Sequence, residues 1–416
     1  MHLYDLPMIC VLIGLALYTV LGGADFGAGL WQLTTLAIPH RTAEARDRAE
    51  QIREHAHHAM GPVWEANHVW LIFVLTVTWT AYPAAFGAIA STLAVPLLLA
   101  GVGVIFRGAT YALRSGTDRP RELGLIDTVF AAASFLTPFA LGTMVGAIVS
   151  GRVPVGNAAG SLSASWLNPM SLLAGALAVA LSAYMAAVYL AADARRHRER
   201  ALADQFRRRA LAAGVVAGAL AIGGLPILHA DAHRVFERLL AGPGLVGVAL
   251  SVVGGVGTLV LVAARRYEIA RISAALAVAG IIVGWALAQQ PLLLAHLTLG
   301  QAAAPQSTII ALLAAIAMGA TILFPSLGLL FGLLLRGRFD PHRSASEADV
   351  AGSALTSTVT AGLSARVALA GLLGGVGFLT AADAPWAHIV GVVCLLVCAV
   401  FAVRAVDPAG LARADP

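Results

Sequence analysis

The sequence predicts an all-α, polytopic membrane protein on three observations. Hydrophobic residues fill 59% of the 416 positions, charged residues fill only 12%, and the mean hydropathy is +0.83. A soluble domain of this size would carry about 25% charged residues. Apolar runs of roughly 20 residues, long enough to cross the hydrocarbon core of a bilayer as a helix, recur along the whole chain.

The apolar runs give eleven candidate spans, which polar, glycine or proline segments separate. The first lacks the basic leading segment and the small-residue cleavage site of a signal peptide, so we expect it to be retained. Tyr82 and Pro83 indicate a tight turn between the second and third spans, or a kink within one helix. The approximate limits are 6–37, 66–81, 84–113, 123–149, 165–192, 210–228, 243–264, 270–294, 307–335, 361–380 and 385–404.

Arginine placement predicts the orientation of these spans. All 27 basic residues are arginines, and 22 of them fall in the odd-numbered connections or the C-terminal segment. The even-numbered connections hold only Arg152, Arg234 and Arg238. Because cytoplasmic loops carry the excess of positive charge, the N-terminus is expected outside and the C-terminus in the cytoplasm. Merging spans two and three would destroy this segregation. The basic pI of 9.5 therefore reports topology and gives no sign of nucleic-acid binding.

The first cytoplasmic connection, 41–59, reads as a surface helix. Its three histidines, His55, His57 and His58, resemble a metal cluster at first sight. On a helix they stand at positions i, i+2 and i+3, which do not converge on one ion. We therefore expect a solvated helix face and no metal site.

Three ionisable residues fall inside predicted spans, where a charge costs several kcal/mol. Asp25 lies about 16 Å from the cytoplasmic end of span one and Arg107 about 10 Å from that of span three, at 1.5 Å per residue. Glu65 lies in the first turn of span two. All three are expected in the cytoplasmic half of the membrane. Such a group is typical of a proton inlet, or of a buried ion pair that fastens helices together.

Each of these residues also has a purely structural interpretation. Pro62 fits the first position of a helix, so Glu65 could complement the positive helix terminus. Asp25, among several glycines, could belong to a close helix contact. Arg107 could extend its side chain to the cytoplasmic interface.

The neighbours of Glu65 have structural interpretations too. Asn67 and His68 are expected to bond to adjacent helices rather than to a cofactor. Trp64 and Trp70 could be interfacial anchors.

Four stretches together resemble subunit II of the cytochrome bd quinol oxidases. They are GGADFGAGLW around Asp25, VWEANHVWLI around Glu65, AYPAAFGAIAS, and VIFRGATYALRS around Arg107. Their order, spacing and topology agree with a family that has a Gly-Phe-Asp-x-Gly-x-Gly stretch in its first span. The specific resemblance covers roughly residues 14 to 115. From 120 to 335 only the pattern of spans is similar.

The resemblance implies a membrane quinol oxidase that reduces dioxygen to water and takes up protons from the cytoplasm. It implies that haems b and d belong to the partner, subunit I, and that this chain ligates no haem or metal. This chain would support subunit I and contribute Glu65, Asp25 and Arg107 to the proton pathway. Trp64, Asn67, His68 and Trp70 would support them. A small accessory subunit, a structural quinone and the quinol are further partners that the resemblance allows but the residues do not place.

The family fold implies about nine transmembrane helices, expected as two four-helix bundles and one peripheral helix within residues 1–335. A polar cytoplasmic linker at 336–360, an extra C-terminal hairpin at 361–404 and a cytoplasmic tail at 405–416 would follow. The chain departs from the family pattern around Gly22 and Gly23, where the family usually has a further acid.

Two other function classes stay open from the residues alone. One is a proton-coupled secondary transporter that uses Asp25 and Glu65. Transporters of that kind have interrupted helices in both halves, and only Gly22–Gly29 suggests one here. The other is a structural membrane scaffold whose acids only lock helices together.

Overall fold

The computed structural model describes residues 2–36, 43–114, 120–335, 371 and 385–406, and for some of them, including 43–49 and 57–66, the backbone alone. The linker predicted at 336–360 and nearly all of the first helix of the predicted hairpin, 361–380, lie outside the described residues. So do positions 407–416 of the predicted tail. The domain limits drawn from the sequence therefore stay predictions.

The described residues form fourteen helices and one small hairpin, which confirms the all-α fold. The first helices are α1 Asp5–Leu36, α2 Ala43–Ala81, α3 Pro83–Thr92, α4 Ala94–Arg114, α5 Pro120–Val149, α6 Pro169–Arg196 and α7 Arg200–Gly223. They are followed by α8 Leu225–Asp231, α9 His233–Leu240, α10 Leu245–Ala263 and α11 Tyr267–Gln289. The chain continues with β1 Leu292–Leu294, β2 Leu297–Thr298, α12 Leu299–Ala302, α13 Gln306–Leu335 and α14 Pro385–Val406.

Seven helical stretches within the described residues are long and apolar enough to cross a membrane, and three shorter apolar stretches accompany them. These ten correspond in order to ten of the eleven predicted spans. Only the span predicted at 361–380 has no counterpart, because it lies outside the described residues. The chain is thus a multi-pass membrane protein.

The apolar stretch of the second span is Asn67–Ala81, close to the predicted 66–81, but the expectation that a helix begins there is wrong. Helix α2 runs without a break from Ala43 to Ala81, so the expected surface helix and the second span are one element. Gly61 and Pro62 suggested a boundary, yet both lie within the helix. A proline inside a helix removes one backbone hydrogen bond, and here the helix continues past it.

The predicted third span, 84–113, is two helices. Tyr82 separates α2 from α3, and Leu93 separates α3 from α4. Tyr82 is fully buried, and its hydroxyl donates a hydrogen bond of 2.6 Å to the backbone oxygen of Tyr4. Pro96 falls in the first turn of α4, where no backbone N–H is required. Spans two and three are therefore separate helices, as the arginine distribution required.

The membrane helices of the first compact unit, residues 1–321, pack in two groups of four. Helices α1, α2, α4 and α5 form the first group, and α6, α7, α10 and α11 form the second. The groups meet where α5 and α1 both pack against α6. Gly27 permits the contact of α1 with α6, because a Cβ atom there would overlap the backbone oxygen of Ser182. The arrangement agrees with the two bundles expected from the sequence.

The predicted eighth span, 270–294, ends earlier than expected. Helix α11 stops at Gln289, and an antiparallel β1–β2 hairpin follows it. Leu294 and Leu297 of this hairpin are buried in a cluster with Tyr82 and Leu93. The apolar strand residues explain the error, because a short apolar run does not reveal whether it is helical or extended.

The second compact unit, residues 322–416, is described mainly by the end of α13 and by α14. Gly371 lies against α14, since a Cβ atom there would stand 2.7 Å from the backbone oxygen of Cys394.

Candidate functional site

A fully buried ion pair joins α1 to α4. Asp25 and Arg107 are both 0% exposed, and the Arg107 guanidinium donates to the Asp25 carboxylate. The same guanidinium donates to the backbone oxygen of Asp25 at 3.1 Å. The sequence predicted different depths in the membrane for the two residues. They meet because the arginine side chain is long enough to span the difference in depth. The interfacial alternative for Arg107 is wrong.

Helix α2 adds a third residue to the Asp25–Arg107 group. Asn67 is fully buried, and its Nδ2 donates a hydrogen bond of 3.1 Å to Oδ2 of Asp25. His68, the next residue on the same helix, is half-buried. The three predicted residues Asp25, Arg107 and Asn67 therefore meet at one place. A charged pair buried this deeply is held by hydrogen bonds from several helices.

Helix α5 completes the surroundings of Arg107 with residues that the sequence analysis did not select. The guanidinium donates to the hydroxyl of Ser134, and its carbon lies 4.3 Å from the centre of the Phe130 ring. The ring of Phe26, on α1, lies 4.8 Å from it on another side. Aromatic faces attract a desolvated cation, so these rings stabilise the charge of the buried Arg107.

Glycine at position 29 lets α1 approach α5 at this level. A Cβ atom at Gly29 would overlap the Ser134 side chain and stand 3.0 Å from Nη1 of Arg107. The glycine-rich stretch therefore serves close packing, as one of the structural interpretations held. The same packing brings Asp25 to Arg107.

Glu65 lies within α2, two residues before Asn67 and three before His68. Its side chain and that of Trp64 are outside the described part of the structure. Because α2 begins at Ala43, Glu65 is far from any helix terminus, and the interpretation that it complements a helix N-terminus is wrong. Trp70 is half-buried and contacts Phe73 edge to face, with ring centres 6.2 Å apart.

A second polar cluster lies two helical turns from the Asp25–Arg107 pair, toward the end of α4. Asp127 of α5 is 6% exposed and pairs with Arg114 of α4. Nη1 of Arg53, on α2, lies 3.9 Å from the Asp127 carboxylate. Between this cluster and the ion pair is a small cavity of about 10 Å³, lined by Gln32, Thr110, Tyr111, Arg114, Ile126, Asp127 and Phe130.

No histidine among the described side chains is buried, and His229 and His233 do not form a bis-histidine haem site with each other. The rings of His229 and His233 meet edge to face with centres 4.6 Å apart, which leaves no room for a porphyrin between them. The ring of His55 lies 3.1 Å from the backbone oxygen of Leu190. Among the described residues, no three His, Cys, Asp or Glu side chains are placed to hold a metal ion.

Comparison with known proteins relates this site to a respiratory family. Residues 3–334 match the family model described as cytochrome bd terminal oxidase subunit II. The cytochrome bd ubiquinol oxidase subunit 2 of Bacillus subtilis (strain 168) is 28% identical over 142 residues, which are 34% of this chain and 39% of the relative. The cytochrome bd-I ubiquinol oxidase subunit 2 of Escherichia coli (strain K12) is 28% identical over 189 residues, or 43% of this chain and 46% of the relative.

The matched stretches thus span less than half the length of either relative. The structure of bd oxidase from Geobacillus thermodenitrificans has the same fold, with a TM-score of 0.61 over 80% of this chain and 99% of that chain, at 22% sequence identity. The family match covers most of the chain and includes Asp25, Asn67 and Arg107. The chain therefore belongs to the cytochrome bd terminal oxidase subunit II family.

Proposed function

We propose that the protein is a subunit of a cytochrome bd-type quinol:dioxygen oxidoreductase of the respiratory chain. In this role it supports the haem-bearing subunit I and contributes to proton uptake from the cytoplasm. The observation that carries the proposal is the buried Asp25–Arg107–Asn67 group, which lies within the family-matched region. We assign haems b and d to the partner subunit, as the family resemblance implies. Those haems would supply the electron transfer and oxygen chemistry.

The chain's own residues would move and hold protons. Reduction of dioxygen to water consumes protons, and a carboxylate inside a span can relay them. Asp25 can bind a proton at Oδ2 while Arg107 stays positively charged and the side-chain amide of Asn67 reorients. Glu65 would collect protons closer to the cytoplasm, on the same helix as Asn67. His68, Trp64 and Trp70 would support this end of the route.

The transporter alternative loses its one supporting feature. It needed an interrupted first span, but α1 continues as a regular helix through Gly22–Gly29. The scaffold alternative accounts for the ion pair as well as our proposal does. Only turnover measurements distinguish the two hypotheses. Quinol is the proposed substrate of the complex, and the resemblance also allows a structural quinone and a small accessory subunit.

The orientation in the membrane is part of the proposal. We expect a tag in the segment 195–209 to be accessible only from the cytoplasm, and a tag in the segment 229–242 only from outside. The reason is the excess of arginine in the segment 195–209, because cytoplasmic loops carry the excess of positive charge. Protease protection in oriented vesicles measures both. External access to 195–209 would reverse the orientation and contradict proton uptake from the cytoplasm.

A spectrum of the purified complex tests the proposed function. We expect the native protein to copurify with a second membrane chain of comparable size and to show a reduced-minus-oxidised haem spectrum. The same chain expressed alone should bind no haem in stoichiometric amount, because a bis-histidine site needs two buried histidines that face each other and none of the described histidines is buried. A solitary, haem-free protein from native membranes would contradict the oxidase and favour the transporter.

A further inference from the structure

A basic cavity lies where α11 begins, beside the last turn of α6. It measures about 210 Å³, less than the roughly 300–1,000 Å³ of pockets that enclose drug-sized ligands, so it suits a small charged group. Three of the residues that line it are exposed arginines. The full lining is Arg195, Arg265, Arg266, Tyr267, Glu268 and Ile269.

The arginines give this cavity a positive charge that the chain does not neutralise. Arg195 and Arg266 form no ion pair within the described residues. Arg265 pairs with an aspartate at 3.2 Å, in a solvent-exposed contact. Glu268, the acid in the lining, is already bound by Arg196, whose Nε and Nη2 donate to its carboxylate at 2.7 and 2.8 Å. The cavity therefore offers guanidinium groups, which bind phosphate oxygens in bidentate geometry.

The first turn of α11 adds backbone donors to the same cavity. The helix begins at Tyr267 without a side-chain cap, so the N–H groups of Tyr267, Glu268 and Ile269 have no partner within the helix. All three residues line the cavity. The start of a helix combines free N–H groups with a partial positive charge, and the two together bind phosphate groups.

A buried hydroxyl at the cavity also has no partner. Tyr267 is 3% exposed, and its hydroxyl forms no hydrogen bond with any described residue. Buried polar groups in proteins are nearly always hydrogen-bonded. A phosphate oxygen in the cavity would accept the hydrogen bond that the chain itself does not. This observation is independent of the arginines, because it indicates a missing acceptor and not merely a missing charge.

The outer face of α11 indicates that the phosphate belongs to a lipid. The helix is long and apolar enough to cross a membrane, so its first turn lies near the level of the lipid headgroups. Ile269, which lines the cavity, is 53% exposed, and Ile272 and Leu276 are 64% and 48% exposed. Spacings of three and four residues put these side chains on one helix face. Acyl chains can lie along that face while the headgroup occupies the cavity.

We propose that this cavity binds the phosphate of an anionic phospholipid from the leaflet predicted to be cytoplasmic. Arg195, Arg265 and Arg266 bind the phosphate oxygens, while the first turn of α11 donates its backbone N–H groups and Tyr267 its hydroxyl. Basic cavities at the cytoplasmic ends of membrane helices bind such headgroups. The site lies on α6 and α11 and not on the helices of the buried ion pair, so it stands or falls independently of the proton role.

Lipid titration of the purified protein complex tests the proposal. The delipidated complex is titrated with dioleoyl phosphatidylglycerol and with dioleoyl phosphatidylcholine, and native mass spectrometry measures the dissociation constant of each lipid. We expect Arg195→Gln/Arg265→Gly/Arg266→Gln to bind phosphatidylglycerol at least about tenfold more weakly and phosphatidylcholine as before. Glycine suits the turn at position 265, where φ is 60°.

A charge-matched variant shows whether the effect is local. Arg198→Gln/Arg200→Gln/Arg208→Gln removes the same charge from exposed arginines of the same side that do not line the cavity. It should bind phosphatidylglycerol like the wild type. Equal weakening in the two triple variants would indicate a diffuse attraction between a basic surface and anionic lipid, and it would overturn the site.

Tyr267→Phe tests the site with a smaller change, and it decides if the triple variant does not assemble. The substitution removes only the hydroxyl, so phosphatidylglycerol should bind roughly threefold to tenfold more weakly. Tyr184→Phe is the matched control, because it removes another buried hydroxyl, on α6 and outside the cavity. Unchanged affinity in Tyr267→Phe would contradict the proposed binding mode.

Inorganic phosphate distinguishes a lipid from a soluble anion. Millimolar phosphate, added at constant ionic strength, should leave phosphatidylglycerol bound to the wild-type complex, because the acyl chains add contacts along α11 that a free anion lacks. Displacement of the lipid at that concentration would assign the cavity to a soluble phosphate and overturn the lipid site.

Discussion

Arg107→Met should prevent assembly of the oxidase. The change removes one partner of a fully buried ion pair and leaves the Asp25 carboxylate charged among apolar groups. Breaking a buried pair from one side costs about 3–5 kcal/mol, a large share of the stability of a typical protein. The yield of haem-containing complex per milligram of membrane protein, and its thermal midpoint, measure the loss.

Two companion variants make this prediction specific. Adding Asp25→Asn to Arg107→Met removes the stranded charge and should restore assembly, although not turnover. Arg107→Lys keeps the charge but loses the planar group that bonds Asp25 and Ser134 together, so its effect should be intermediate. Arg208→Met, at an exposed arginine, is the control and should assemble normally. Normal assembly of Arg107→Met would show that the pair does not hold the helices together.

Both ends of α1, the C-terminal end of α4 and the residues of the ion pair could be predicted from the sequence. Asp25 and Arg107 stood out because charges inside apolar runs are rare, and the rarity itself indicates a paired site. Their contact could not be deduced, since nothing in the chain states which face of α1 meets which face of α4. The glycines at positions 27 and 29 decide that packing, and their role depends on partners far away in sequence.

The helix boundaries around Pro62 and Pro96 show where local rules fail. Both prolines fit the first turn of a helix, and the sequence analysis used only Pro62 in that way. In the structure Pro96 marks a helix start and Pro62 lies inside a continuous helix. Proline restricts the backbone at both sites equally, so the residue alone does not determine which of the two sites begins a helix.

The sequence analysis did not select the further polar residues on α1, α4 and α5 near the ion pair, although their signal is local. Gln32, Asp127 and Ser134 each stand in or beside an apolar run, and each is one member of a pair spaced by seven residues. A search for polar residues that share a helix face with Asp25 or Arg107 would have selected Gln32 and Arg114. Asp127 and Ser134 require the observed packing of α5 on α4, which sequence alone does not supply.

Glu65→Gln should slow the oxidase without harming its structure. Glutamine keeps the size of the side chain and the helix but cannot exchange a proton. A positioned acid–base group contributes about 10²–10⁴-fold to a reaction, so we expect turnover to fall on the order of a hundredfold. Glu65→Asp should be milder, because the ionisable group survives with a shorter reach. Glu199→Gln, at an exposed acid before α7, is the matched control.

Haem-normalised quinol oxidation by the Glu65→Gln complex tests the central claim most directly. The rate and the reduced-minus-oxidised spectrum are recorded on the same preparation, so that catalysis and assembly are separated. Proton uptake through this chain predicts a full haem spectrum and a rate reduced on the order of a hundredfold. A normal rate with full haem content would contradict a proton role for Glu65, and loss of haem would show that its role is structural.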